Sequence, residues 1–153
     1  MSQVEDRLKS LGMVLPEVAA PLAAYVPAKK VGQVIFTAGQ LPIQKGELIC
    51  KGLLGQDVDV EQAYQAARIC TLNALAAIKK IVKDLDQIVQ VVRVVGYVAS
   101  TSTFTQQPAI VNGASELLLE IFGEVGKHAR SAVGVASLPL NASVEIELTV
   151  EVK

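Results

Sequence analysis

The chain has 153 residues, enough for one domain that buries a core without disulfides or metals, and 51% of them are hydrophobic against 19% charged, which excludes a disordered chain. Aromatic residues make up only 4% and Trp is absent, so the core must be aliphatic. A formal net charge of −1 leaves no basic excess to hold a phosphate backbone, which speaks against nucleic acid as a partner.

Residues 4–11, closed by Gly12, read as a short N-terminal helix, followed by an irregular stretch through Pro16 and Pro21. Residues 1–23 are therefore expected to form a helix and extension attached to a domain spanning 24–153. Glu5, Asp6, Arg7 and Lys9 stand where a signal peptide would need apolar residues, and no apolar run reaches the roughly 18–20 residues that span a bilayer. A soluble, cytoplasmic protein with no membrane partner is expected.

Two β-type runs, 25–30 and 33–38, flank a turn at Val31-Gly32 and predict a hairpin. Gly39-Gln40-Leu41-Pro42 breaks the second run, and Gly46, Gly52 and Gly55 mark the stretch to Asp57 as a loop with room for one short strand. Asp59 with Gln62 resembles a capping box, and Ala63, Ala67, Cys70, Ala74, Ala77, Ile78 and Ile81 recur at helical spacing, which predicts the longest helix over 60–83. Residues 88–99 are Val-rich on both sides, as in a strand covered on both faces. Residues 105–122 predict a second main helix, with Pro108 in its first turn and Gly123 at its end. Two strands, 129–136 and 143–152, close the order, separated by residues 137–141. This ββ, α, β, α, ββ sequence predicts an α+β domain with both main helices on one face of a mixed sheet.

In 143–152 the alternation is strict: Val144, Ile146, Leu148, Val150 and Val152 face one way, Glu145, Glu147, Thr149 and Glu151 the other. In 129–136, Arg130 shares a face with Ala132, Gly134 and Ala136, so a long cation stands among small neighbours. If 137–141 is a hairpin loop, one of two registers puts Glu145 on the Arg130 side, and parity does not choose between them. An Arg fork suits a carboxylate and an ionised Glu can activate water, so the pair would serve a small anionic substrate. A cross-strand or inter-subunit salt bridge accounts for the same two residues.

Cys50 and Cys70 lack metal-ligand spacing and His128 is the only histidine, so no Cys/His metal set exists, and Cys70 reads as a core residue. A Cys–His or Ser–His pair would have to use His128, which reads as a surface residue beside a strand. Lys79, Lys80 and Lys83 suit the C-terminal end of the long helix and need no ligand.

The stretch Ala129-Arg130-Ser131-Ala132-Val133-Gly134-Val135-Ala136-Ser137-Leu138-Pro139, followed by Val144-Glu145-Ile146-Glu147, resembles the C-terminal signature of the RidA/YjgF/UK114 family, also labelled endoribonuclease L-PSP. Phe36-Thr37-Ala38-Gly39-Gln40-Leu41-Pro42 resembles its other signature, and Tyr25 falls where the family has a pocket tyrosine. The resemblance covers 24–152, and the N-terminal helix is similar to that of a longer subgroup.

It implies a fold like that of bacillus chorismate mutase, a homotrimer with clefts between subunits, and cofactor-free hydrolysis of 2-imino or enamine acids to 2-keto acids and ammonia. Carried over by position, Arg130 would grip the substrate carboxylate, Glu145 would orient or deprotonate water, Tyr25 would line the pocket and Gly39 would offer backbone contacts. Ala132 stands where RidA has a pocket cysteine and Ala38 where a serine is usual, so both departures remove polar groups. A non-catalytic trimeric binder of small carboxylates is therefore the alternative reading, and an endoribonuclease or translation inhibitor the third.

Overall fold

The computed structural model describes residues 2–18, 20 and 23–153. Helix α1 (Gln3–Ser10) begins at Ser2, whose hydroxyl oxygen accepts from Glu5 N–H at 3.4 Å. The next two free donors are met from far along the chain: the Asp86 carboxylate accepts from Gln3 N–H at 2.8 Å and Val4 N–H at 2.9 Å, and from the Ser2 hydroxyl at 2.9 Å. Leu8 of α1 enters the core, 2% exposed, and Glu5 pairs with Lys79 at 2.7 Å.

Those N–H donors, Val4's first, hold the Asp86 carboxyl below its usual range. A depressed carboxyl stabilises the fold above the ordinary aspartate range and loses that contribution as pH falls through the lowered value. Asp86→Ala is thus expected to cost about 1 kcal/mol near neutral pH and less in strong acid, as read by urea denaturation.

The sheet has five strands in the order β1-β2-β7-β5-β6: β1 (Ala28–Val31), β2 (Val34–Thr37), β5 (Ile88–Ala99), β6 (Ala129–Val135) and β7 (Val144–Val152). Between β2 and the long helix lies a separate hairpin, β3 (Ile43–Gln44) and β4 (Glu47–Leu48), two short strands where the sequence left room for one. Helix α2 (Val60–Val82) starts at the expected capping box, with Asp59 Oδ1 accepting from Gln62 N–H at 2.8 Å and Gln62 Oε1 accepting from Asp59 N–H at 3.2 Å. Helix α3 (Gln107–Phe122) carries Pro108 in its first turn, where a missing N–H costs no helical bond.

The helices cross closely because Gly113 has no side chain: a Cβ there would lie 2.2 Å from the Tyr64 carbonyl oxygen. Together they cover the face formed by Val94, Val98, Val144, Ile146, Leu148 and Val150, all at most 1% exposed. Cys70 is fully buried among them. No helix among the described residues is long and apolar enough to cross a membrane.

Three sequence expectations are corrected. The first hairpin forms, but β1 starts at Ala28 rather than at 25, since Pro27 has no N–H for a ladder, and Val31 pairs with Val34 around a Gly32-Gln33 turn. Strand β5 is buried on one face only. Ile88, Val91, Val94, Gly96 and Val98 face the helices, while Val89 and Val92 are 40% and 39% exposed, and two register shifts against β7 explain why no clean alternation shows.

The third correction bears on function: β6 and β7 are not a hairpin. Strand β6 is the parallel edge neighbour of β5, reached through α3 as a β-α-β unit, and β7 lies on the other side of β5, antiparallel to it and to β2. Residues 137–141 therefore carry the chain across β5.

Candidate functional site

On β6, Arg130, Ala132 and Gly134 pair with Val94, Gly96 and Val98 of β5, so all three face the helix layer. They are bounded by α3: a Cβ on Gly134 would lie 2.8 Å from Gln107 Nε2 and Ser100 Oγ. The half-buried Arg130 side chain donates from Nη1 to Asn112 Oδ1 at 2.8 Å and to Ser115 Oγ at 3.2 Å. Both Nη1 hydrogens are thereby used on neutral acceptors. Ion pairs among the described residues join Arg68 to Glu120, Lys79 to Glu5 and Lys127 to Glu124, and none involves Arg130.

Glu145 leaves the opposite face of the sheet. It pairs with Tyr97 of β5, three residues from the Val94 that pairs with Arg130. Two strand spacings sideways and three residues along put the two Cα atoms roughly 14 Å apart, with their side chains diverging. The register in which Arg130 and Glu145 share a side is thus overturned, and with it a salt bridge between them in one chain.

The Glu145 carboxyl lies against Gly39, where a Cβ would come within 2.6 Å of its Cδ and Oε2. That approach is fixed by the loop after β2, which Gln40 N–H ties to the Ile146 carbonyl at 2.8 Å and Ile146 N–H ties back to the Gln40 carbonyl at 3.0 Å. Burial raises the proton affinity of Glu145 above that of an ordinary glutamate, and the neighbouring Glu147, held by the Tyr97 hydroxyl at 3.0 Å, adds to the rise.

A carboxyl with a raised folded-state value contributes stability that is complete below the ordinary glutamate range and lost as pH rises through the raised value. Glu145→Gln is accordingly expected to raise the melting temperature at pH 7 and to leave it unchanged near pH 4, as read by thermal denaturation across that range.

Tyr25 lies just ahead of β1 and is 58% exposed. Strands β1 and β6 are the two edges of the sheet, four spacings or roughly 19 Å apart. The sequence-derived residues therefore form two separated groups: Tyr25, Gly39 and Glu145 on the β1–β2–β7 side, and Arg130 with Ala132 at the β6 edge. Depressions elsewhere, about 530 Å³ beside Cys50 and Glu61 and about 480 Å³ between Leu15 and Lys80, contain neither group.

Two residues in the Arg130 group escaped the sequence reading. Asn112 and Ser115, three apart on α3, are polar positions beside Ile110, Val111, Ala114, Leu117 and Leu118, and that interruption of an apolar stripe was the available signal. His128 is half-buried rather than a surface residue, with Nε2 2.9 Å from Ser115 Oγ and Nδ1 2.7 Å from the Gly126 carbonyl oxygen.

A mixed sheet with two helices on one face and a bare opposite face defines the class: an α+β domain of chorismate-mutase-like architecture. The chain belongs to the YjgF family, whose model, described as "YjgF/chorismate_mutase-like, putative endoribonuclease", matches residues 5–152. It is similar to Protein TCP17 of Trypanosoma cruzi, 40% identical over 150 residues that cover 97% of this chain and 94% of that protein. It also resembles the crystal structure of Atu1372 from Agrobacterium tumefaciens, a protein described as of unknown function, at 45% identity and a TM-score of 0.93, covering 99% of this chain and 93% of the other. A Shewanella oneidensis protein described as "a putative endoribonuclease" superposes with a TM-score of 0.94 at 40% identity, covering 97% of this chain and 99% of the other.

Proposed function

We propose that this protein is a small-molecule enzyme of the RidA type, hydrolysing 2-imino or enamine acids to 2-keto acids and ammonia in clefts between the subunits of a homotrimer. The observation that carries this reading is the state of Arg130: its charge is met by amide and hydroxyl oxygens only, and Nη2 and Nε have no partner among the described residues. A guanidinium steadied on neutral acceptors keeps its charge for an incoming anion, and two adjacent N–H groups match a carboxylate.

In the reaction, Arg130 holds the substrate carboxylate beside the C=N bond. Glu145, whose raised proton affinity suits a base, takes a proton from water as the water oxygen adds to the imine carbon. Glu145 returns its proton to the nitrogen of the resulting carbinolamine, then takes the hydroxyl proton as the C–N bond breaks, and a keto acid and ammonia leave, with Glu145 passing that proton to the ammonia nitrogen, directly or through water. One water is consumed and no other reactant enters the balance.

Because the two groups diverge within one chain, a cleft holding both takes Arg130 from one subunit and Glu145, Gly39 and Tyr25 from the next. A closed ring joins two different surfaces in this way, and the bare sheet face, with Phe36 49% and Val133 44% exposed, offers apolar area for such contact. The test couples an imine-generating amino-acid oxidase or dehydratase to the protein and follows imine decay. Accelerated decay supports the enzyme.

A second reading has its own support: Ala132, beside Arg130 on the same face, brings no polar group to the cleft. Binding of 2-ketobutyrate with no acceleration for several amino-acid-derived imines would replace the enzyme by a carboxylate-binding trimer. Cleavage of RNA, the activity in the family's description, finds no support in a net charge of −1.

A further inference from the structure

We infer that Ser115 and His128 are positioning residues: together they fix the Arg130 guanidinium so that its Nη2–Nε edge, and not its Nη1–Nη2 end, receives the carboxylate. Resting on the reading of Arg130 as the carboxylate clamp, this assignment adds which edge of the fork binds and what selects that edge.

A guanidinium offers two bidentate approaches, end-on through Nη1 and Nη2 or side-on through Nη2 and Nε. With its hydrogens on Asn112 Oδ1 and Ser115 Oγ, Nη1 has none left, so only the side-on edge is complete. Ser115 accepts from Arg130 only while its own hydrogen points elsewhere, and His128 provides that direction. The Gly126 carbonyl can only accept, so His128 Nδ1 carries the hydrogen of the 2.7 Å bond. In the neutral ring Nε2 is then a bare acceptor, and the Ser115 hydroxyl donates to it across 2.9 Å.

The acceptor end of this chain is itself immobile. Gly126 is buried in the turn Gly123–Gly126, and a Cβ there would lie 2.4 Å from the Leu118 carbonyl oxygen, so the turn sits directly on α3. Three elements are thus linked in series: the turn orients His128, His128 orients Ser115 of α3, and Ser115 orients Arg130 of β6. A nucleophilic Ser115 is the other use of a Ser–His pair, but its oxygen already accepts from a cation, which lowers its electron density toward an incoming carbonyl.

The test has a ligand-free arm and a binding arm, with thermal melts to establish that each variant folds. In nitrogen-labelled protein, the His128 ring is expected to carry its hydrogen on Nδ1, and the Arg130 Nη1 hydrogens to show hindered rotation that is lost in Ser115→Ala and His128→Phe. In calorimetric titration with 2-ketobutyrate, each of these variants is expected to bind roughly tenfold more weakly, the worth of one hydrogen bond to a charged group. The double variant should bind no more weakly than either single one, because the two residues act as one unit. His128→Gln, whose amide oxygen can accept from Ser115, should recover most of the loss.

Parental affinity in Ser115→Ala, losses that multiply in the double variant, or a freely rotating Nη1 in the parent would overturn the assignment. A parent that holds Nη1 as described but binds no keto acid would instead overturn the carboxylate clamp on which it rests. Labelling of Ser115 by an acylating or phosphonylating reagent would put the nucleophile in place of the positioning role.

Discussion

Glu145→Gln is expected to slow imine hydrolysis by about 10²–10⁴-fold while 2-ketobutyrate binds as in the parent. The amide is nearly isosteric with the carboxyl, so it fits the same space against Gly39 without moving the loop that Gln40 ties to Ile146. What it lacks is a site for the proton of the attacking water. The coupled oxidase assay reads the rate and calorimetry reads the binding, so the two effects separate. Retained hydrolysis would remove Glu145 from the reaction, whereas joint loss of rate and binding would make it a binding group.

Arg130→Lys is expected to lose most of the keto-acid affinity, tenfold or more, on the order of one charge-assisted hydrogen bond, although the positive charge remains. A lysine ammonium is a point charge that cannot present two parallel donors, whereas Arg130 keeps its Nη2–Nε edge free while Nη1 is held by Asn112 and Ser115. The companion experiment asks where the two halves of the cleft come from. Arg130→Ala and Glu145→Ala chains are each expected to be inactive alone. Refolded together at equal amounts, they should recover about one quarter of parental activity, because a cleft shared between neighbours in a ring draws an intact half from each side with a chance of about one in two. A mixture that stays inactive, or a monomer by light scattering, would defeat the shared cleft.

The parts of the fold written in local pattern were legible. Helix α2 was set by its 3.6-residue spacing and by Asp59 and Gln62, strand β7 by strict alternation, and the end of α3 by Gly123, whose φ of 62° only glycine adopts freely. The strand order was not legible, because it depends on a non-local choice. The short link 137–141 looks like a hairpin loop, and only the pairing of β6 with β5 through α3 reveals that β5 lies between the last two strands.

The gap carries over to the site: on the hairpin alternative the face of Glu145 relative to Arg130 is an undecided parity, and the structure decides it against a shared face. The two motif segments did identify the family, whose model matches residues 5–152, and Gly39 and Glu145, one from each segment, sit together in the structure. Asn112 and Ser115 stayed hidden because each is a single polar residue, and His128 was read as a surface residue because its significance lies in a chain of hydrogen bonds that crosses three elements.

Strand β7 occupies the middle of the sheet, between β2 and β5, yet it is synthesised after every other element described. While it is still inside the ribosome, the β1–β2 hairpin and the β5–β6 pair have no common neighbour, and the apolar underside of α2 lacks the strand it packs against most. Pairings such as Ile35 with Val150 close more than a hundred residues of chain in one step, which makes formation of the sheet slow and all-or-none, and leaves the waiting halves exposed to chaperones or to one another. Glu145 arrives on that same strand, and the loop at Gly39 gains its anchor at Ile146 only then. On the proposed reading, folding and the appearance of the Glu145 half of the cleft are therefore a single event.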